Sequence, residues 1–188
     1  MAKPTGVSDN IYQLKITLQR LQPPVWRRVL VPGKLNLYKL HQIIQQAMGW
    51  TDSHLHQFIV SDRFYSIPSP EDWQPVEDER RFTLQRLGLP VGGRFVYEYD
   101  FGDSWEHDIL IEGIGAAEAD RRYPVCLAGE RACPPEDVGG VWGYADLLEA
   151  LANPEHEEHD SYREWAGDDF DPEAFDLTAV NRALGRIR

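Results

Sequence analysis

Cysteine is nearly absent from this chain, with only Cys126 and Cys133 among 188 residues. Two sulfurs allow one disulfide, half of a tetrahedral zinc site, or simply two small buried side chains. Basic residues are also scarce, 19 Lys and Arg against 31 Asp and Glu, for a net charge of −12. Nucleic-acid affinity rests on a cationic face that releases counterions from phosphates, so no nucleic-acid partner is expected. No apolar run approaches the roughly 20 residues of a membrane-spanning helix, so no membrane partner is expected. The opening MAKPTGVSDN lacks the apolar centre of an export signal, which predicts a cytoplasmic protein. Reducing conditions there disfavour a disulfide. Familiar catalytic signatures are missing too. There is no GxSxG elbow and no GK[ST] phosphate loop, and the DFG at 100–102 stands without any other kinase element.

What is present is a set of clear local periods. IYQLKITL (11–18) alternates, and VWRRVLV (25–31) follows the break at Pro23-Pro24, so both read as strands. Arg27 and Arg28 are expected on the solvated or salt-bridged surface of the second. From Asn36 the spacing becomes helical, with Leu37, Leu40, Ile43, Ile44, Ala47 and Met48 on one face and Gly49 as a stop. HLHQFIVSD (54–62) and RFYSI (63–67) read as strands, SPEDWQPVEDER (69–80) as a surface loop and FTLQRL as a short helical turn. FVYEYD (95–100) and WEHDILIEGI (105–114) form a hairpin across FGDS. YADLLEALANP (144–154) and FDLTAVNRALGRI (175–187) are helical. The order predicts an α+β fold, a mixed and mostly antiparallel sheet with helices on one face and a C-terminal helical segment. It is read as a single domain over 1–188. Residues 10–152 form the core body, and 153–188 form an acidic helical extension docked on it.

Four clusters carry candidate chemistry. In WTDSHLHQF, Asp52 precedes His54 and His56, which would project from one face of a strand as paired metal ligands. YDFGDSWEH supplies Asp100, Asp103, Trp105, Glu106 and His107. Position 107 shares the parity of Ile109 and Ile111, which favours a hydrogen-bonded core histidine over a ligand. YPVCLAGERACPPEDVGG (123–140) places both cysteines, Glu136 and Asp137 in one proline-stiffened loop. Cys126 and Cys133 with imidazoles from among His54, His107 and His56 would complete a tetrahedral zinc set, provided the fold brings them together. The acids Asp100, Asp103, Glu106, Glu136 and Asp137 could instead hold Mg²⁺ or Mn²⁺, or simply cap turns. PEHEEHD, with His156 and His159, has the wrong spacing for a zinc protease and reads as a solvated acidic helix opened by Asn153-Pro154.

PPVWRRVLVP, LHQIIQQAMGW, HLHQF, YEYDFGDSWEH, CLAGERACPPEDVGG and FDPEAFD, in this order, resemble the plasmid pRiA4b ORF-3-like family. The likeness runs from about residue 10 to about residue 182. It implies a compact α+β domain of plasmid and chromosomal contexts, with no settled reaction, ligand or catalytic residue to carry over. Its polar blocks coincide with the clusters above. The expected pocket is therefore His54, His56, Asp100, Asp103, Trp105, Glu106, His107, Glu136 and Asp137, with Trp50 and Tyr99 as aromatic neighbours. Two functions compete: a module binding a protein or small molecule without turnover, and a zinc-type hydrolase using the His/Cys/Asp groups. A plasmid or transposon accessory role is weaker, because the acidic charge opposes it.

Overall fold

The computed structural model describes residues 10–187. Eight strands form one sheet, β1 (Asn10–Leu18), β2 (Trp26–Pro32), β3 (His56–Val60), β4 (Arg63–Ser66), β5 (Val76–Asp78), β6 (Arg94–Tyr99), β7 (Trp105–Ala116) and β8 (Val125–Glu130). Their order is β5-β4-β3-β6-β7-β1-β2-β8. Every neighbouring pair is antiparallel except β4 with β5. The helices are α1 (Leu37–Met48), α2 (Gly140–Ala152), α3 (His159–Ala166) and α4 (Leu177–Leu184). This is the expected α+β class. Among the described residues no helix is long and apolar enough to cross a membrane.

Alternation along each strand sends one set of side chains to a single buried face. On β1 these are Tyr12, Leu14, Ile16 and Leu18, and on β7 Trp105, His107, Ile109 and Ile111. Register then aligns them in rows. Phe58 faces Tyr97, Tyr97 faces His107, and His107 faces Leu18. A second row runs from His56 through Tyr99 to Trp105. The row therefore turns from apolar to polar as it approaches the β3 end, and that polar end holds the candidate site.

The apolar stripe of α1 is buried in the same core as these rows. Leu37, Leu40, Ile43, Ile44 and Ala47 are each buried, at about 1.5–3 kcal/mol per large side chain. Asn36 caps the helix by accepting from the Lys39 amide at 2.9 Å. Gly49 ends it in the left-handed region at φ 103°, where a side chain would be strained.

Four local expectations need correction. Residues 69–80 are not all loop, because Val76–Asp78 pairs with β4 and Glu79–Arg81 form a 3-10 turn. Glu79 is fully buried despite its polar neighbours. The cysteine stretch is only partly loop: Val125–Glu130 is the edge strand β8, and Cys126 faces Val29. Arg27 is not a surface residue. It lies on the core face, donates to the carbonyls of Ala47, Trp26 and Glu130, and stacks under Phe175. Arg28 does pair at the surface, in a two-pronged bond to Glu112 at 2.6 and 2.9 Å. Finally, the helix in the acidic segment begins only at His159, and 153–158 are turns. Further along, Asn181 of α4 bonds both the amide and the carbonyl of Cys126, which ties that helix to β8.

Candidate functional site

His54 lies just before β3, and Asp100 closes β6 at the hairpin. Glu136 and Asp137 come from the loop that leads into α2. These three segments converge on the imidazole of His54. Its Nε2 lies 3.1 Å from Asp137 Oδ1, 3.7 Å from Asp100 Oδ2 and 3.9 Å from Glu136 Oε2. The first contact lacks the alignment of a hydrogen bond and the other two are too long for one, so this buried ring nitrogen faces three carboxylates without a bonded partner. A proton would favour one linear contact; a ring nitrogen facing several oxygens off-line is the donor arrangement a cation uses.

The backbone holds this arrangement under strain. Asp100 and Asp137 sit at φ 57° and 58°, and Asp52, two residues before His54, is also at 58°. Aspartate tolerates the left-handed region better than most residues, yet each instance costs about 1 kcal/mol or more. Asp100 uses its Oδ1 to accept from the Gly102 amide at 3.0 Å, which closes the hairpin turn. Its Oδ2 is left toward His54.

The ring of Tyr99 stands against His54 edge-on, with centroids 5.8 Å apart. Tyr99 Oη donates to Glu136 at 3.1 and 3.2 Å and accepts from the Ser53 amide at 2.9 Å. Burial raises the Tyr99 phenol, so it stays a protonated donor to the carboxylate. Glu136 also accepts from the amide and hydroxyl of Thr51 at 2.8 and 3.0 Å. Trp50 packs against Tyr99 and anchors the cysteine loop through Nε1 to the Pro134 carbonyl at 3.0 Å. Asp103 stands beside the site at the start of α2, where it accepts from the Gly139 amide at 3.1 Å.

The remaining residues of the expected pocket go elsewhere. His56 does not share a site with His54, because His54 precedes the strand and escapes its parity. Instead His56 bonds the buried Glu79 and stacks on His41. Glu106 occupies the opposite face of β7 from Trp105 and His107, and pairs with Arg20 at 3.5 Å. Trp105 is a core residue. His107 is fully buried, its Nδ1 lies 3.2 Å from the Tyr97 carbonyl, and its ring meets Trp50 edge-on.

The cysteines are free thiols. Cys126 donates from Sγ to the Ala128 carbonyl at 3.4 Å, and burial pushes its thiol up. Cys133 faces a groove of about 400 Å³ that Arg27, Trp50 and Phe175 also line, and burial pushes its thiol up as well. Among the described residues, the clusters able to surround one ion are His54–Asp100–Asp137 and His41–Asp52–His56, and neither contains a cysteine or His107. The sulfurs and imidazoles of the anticipated zinc set therefore occupy different places in the fold. His41 and Glu79 escaped notice in the sequence, since the first looks like an ordinary polar position of a helix and the second like loop acid. The phase of His41 on the buried stripe of α1, one residue from Leu40, was the available signal.

The loop that carries Glu136 and Asp137 is held by tight packing at α2. A Cβ on Gly143 would lie 1.8 Å from the Val138 carbonyl oxygen, so Gly143→Ala must displace this turn. We expect a loss of about 1–3 kcal/mol, read as a lower thermal midpoint. An unchanged midpoint would mean that the turn is not fixed there.

The sequence profile of the plasmid pRiA4b ORF-3-like protein family matches residues 10–179. An uncharacterized protein, y4hQ, of Sinorhizobium fredii is 42% identical over 177 residues, which is 93% of this chain and 91% of the relative. The crystal structure of MM3350 from Methanosarcina mazei Go1, titled a protein of unknown function, superposes with a TM-score of 0.83 at 37% identity. It covers 91% of this chain and 97% of that one.

Proposed function

This chain belongs to the plasmid pRiA4b ORF-3-like protein family, and from that premise we propose that it is a binding module whose ligand is held through a divalent cation at His54. One observation carries the reading: a buried ring nitrogen faces Asp100, Glu136 and Asp137 within 3.9 Å and bonds none of them. One imidazole with several carboxylates suits Zn²⁺ or Mn²⁺ better than Mg²⁺, which binds mostly through water and oxygen. The side chain of Asp137 is 71% exposed, so an ion here has an open side for a ligand from solution.

The test is ion uptake by calorimetry, first with Zn²⁺ and then with Mn²⁺. The double variant His54→Ala, Asp137→Asn is expected to lose one equivalent of bound ion. Glu106→Gln, on the other face of the sheet, should lose none. Equal uptake by the double variant and the parent would refute the site.

The open side also favours a second reading, a metal-dependent hydrolase in which the ion activates a water. Hydrolysis of a p-nitrophenyl ester or phosphate that needs the ion and disappears with His54→Ala would establish it. No hydrolysis by the ion-loaded protein would leave the binding module.

A further inference from the structure

A second cluster lies deeper, on the polar end of the core. The rings of His41 (α1) and His56 (β3) stack with centroids 3.5 Å apart and planes 4° from parallel. His41 Nε2 lies 2.9 Å from Asp52 Oδ1. His56 Nε2 lies 2.9 and 3.1 Å from the two oxygens of Glu79. Glu79 and His41 are at most 1% exposed, and His56 is 6% exposed. We propose that His41, Asp52 and His56 form a second, buried site for a borderline first-row divalent cation such as Zn²⁺ or Co²⁺, with Glu79 holding the ring of His56 from behind.

Three features of the cluster support this. The first is distance. Ligand atoms taken one each from His41, Asp52 and His56 all lie within 4.8 Å of one another. Two ligand atoms bound at about 2.1 Å to a common ion stand roughly 3–4 Å apart, so the ion is reached once one imidazole turns out of the stack to bring both lone pairs together. The second is charge. Glu79 and Asp52 are two carboxylates, and Glu79 is wholly out of water. A divalent cation balances both, and a buried carboxylate demands such a partner.

The third is readiness of the ligands. Metal binding needs the imidazole lone pair, hence a neutral ring. His41 presents its Nε2 toward Asp52 Oδ1. Its far nitrogen, Nδ1, lies 2.7 Å from Tyr97 Oη, which in turn accepts from Gln45 at 3.0 Å. An outer bond of this kind fixes the ring orientation, as is usual for ligating histidines. Gln45 also accepts from the Asp52 amide at 2.9 Å, so one side chain braces both Tyr97 and Asp52. The Asp52 side chain is 49% exposed and gives an ion its way in from solvent.

The test uses Co²⁺ alone, added to the variant His54→Ala, Asp137→Asn so that only the deeper cluster remains. Calorimetry should then find one equivalent bound, with visible ligand-field bands of an imidazole-bearing site. Asp52→Asn in that background should weaken uptake at least tenfold, and His56→Gln should abolish it. Asp52 is half-exposed, so its replacement keeps the fold even if the His56 variant does not. No saturable uptake by the folded background protein overturns the proposal, and so does uptake indifferent to Asp52→Asn. Because the first site is already removed, neither result bears on the ion at His54.

Discussion

Replacing Glu79 by alanine is expected to lower stability by about 3–5 kcal/mol, from a buried His56 nitrogen left without its partner together with the cavity the side chain leaves. Its carboxylate is fully buried and is bonded to His56 through both oxygens. Without it, the His56 ring loses its partner in a place that water does not reach. The short 3-10 turn carrying Glu79 would lose its tie to β3. Glu79→Gln keeps an acceptor and should cost less than half as much. Urea unfolding measures both, and a Glu79→Ala loss below about 1 kcal/mol would show that this pair contributes little.

Acid should be nearly as damaging. Burial lowers His107 to about 4 and His41 to about 3, from an ordinary value of 6.5. Both rings therefore stay neutral in the fold while the unfolded chain takes up their protons below pH 6.5. The stability they contribute is complete above 6.5 and is lost as pH falls toward 4. Each histidine adds a slope of about 1.4 kcal/mol per pH unit, so two units cost roughly 5 kcal/mol together. Asp52 works in the opposite sense, because burial raises its carboxyl, and it trims the loss. Denaturant midpoints at pH 7, 6, 5 and 4 should fall steadily, and His107→Leu should remove about half of the slope. A flat profile from pH 7 to 5 would contradict the neutral, buried state of these rings.

Both predictions depend on groups that local sequence reading handled unevenly. The parity of His107 with Ile109 and Ile111 was enough to put it in the core, and there it lies. The same parity argument failed for His54 and His56. It assumed that both stood on a strand, whereas β3 begins at His56 and His54 belongs to the preceding bend. Two residues that seemed to share one ion thus serve two clusters. Glu79 was misplaced because a polar, proline-bearing stretch looks like exposed loop. Its burial comes from the parallel pairing of β5 with β4 and the docking of the following turn against α1.

The sequence alone determined the alternating strands, the amphipathic α1 with its Asn36 cap and Gly49 stop, and the hairpin that carries Asp100. These depend on periods and turn chemistry within a few residues, where the chain has few alternatives. Tertiary structure alone decided that His54 meets Asp100, Glu136 and Asp137, that His41 stacks on His56, and that the thiols stand apart from both clusters. Such meetings follow from the order of strands in the sheet and the register between them. They join residues tens of positions apart, and no local period records which strand will lie beside which.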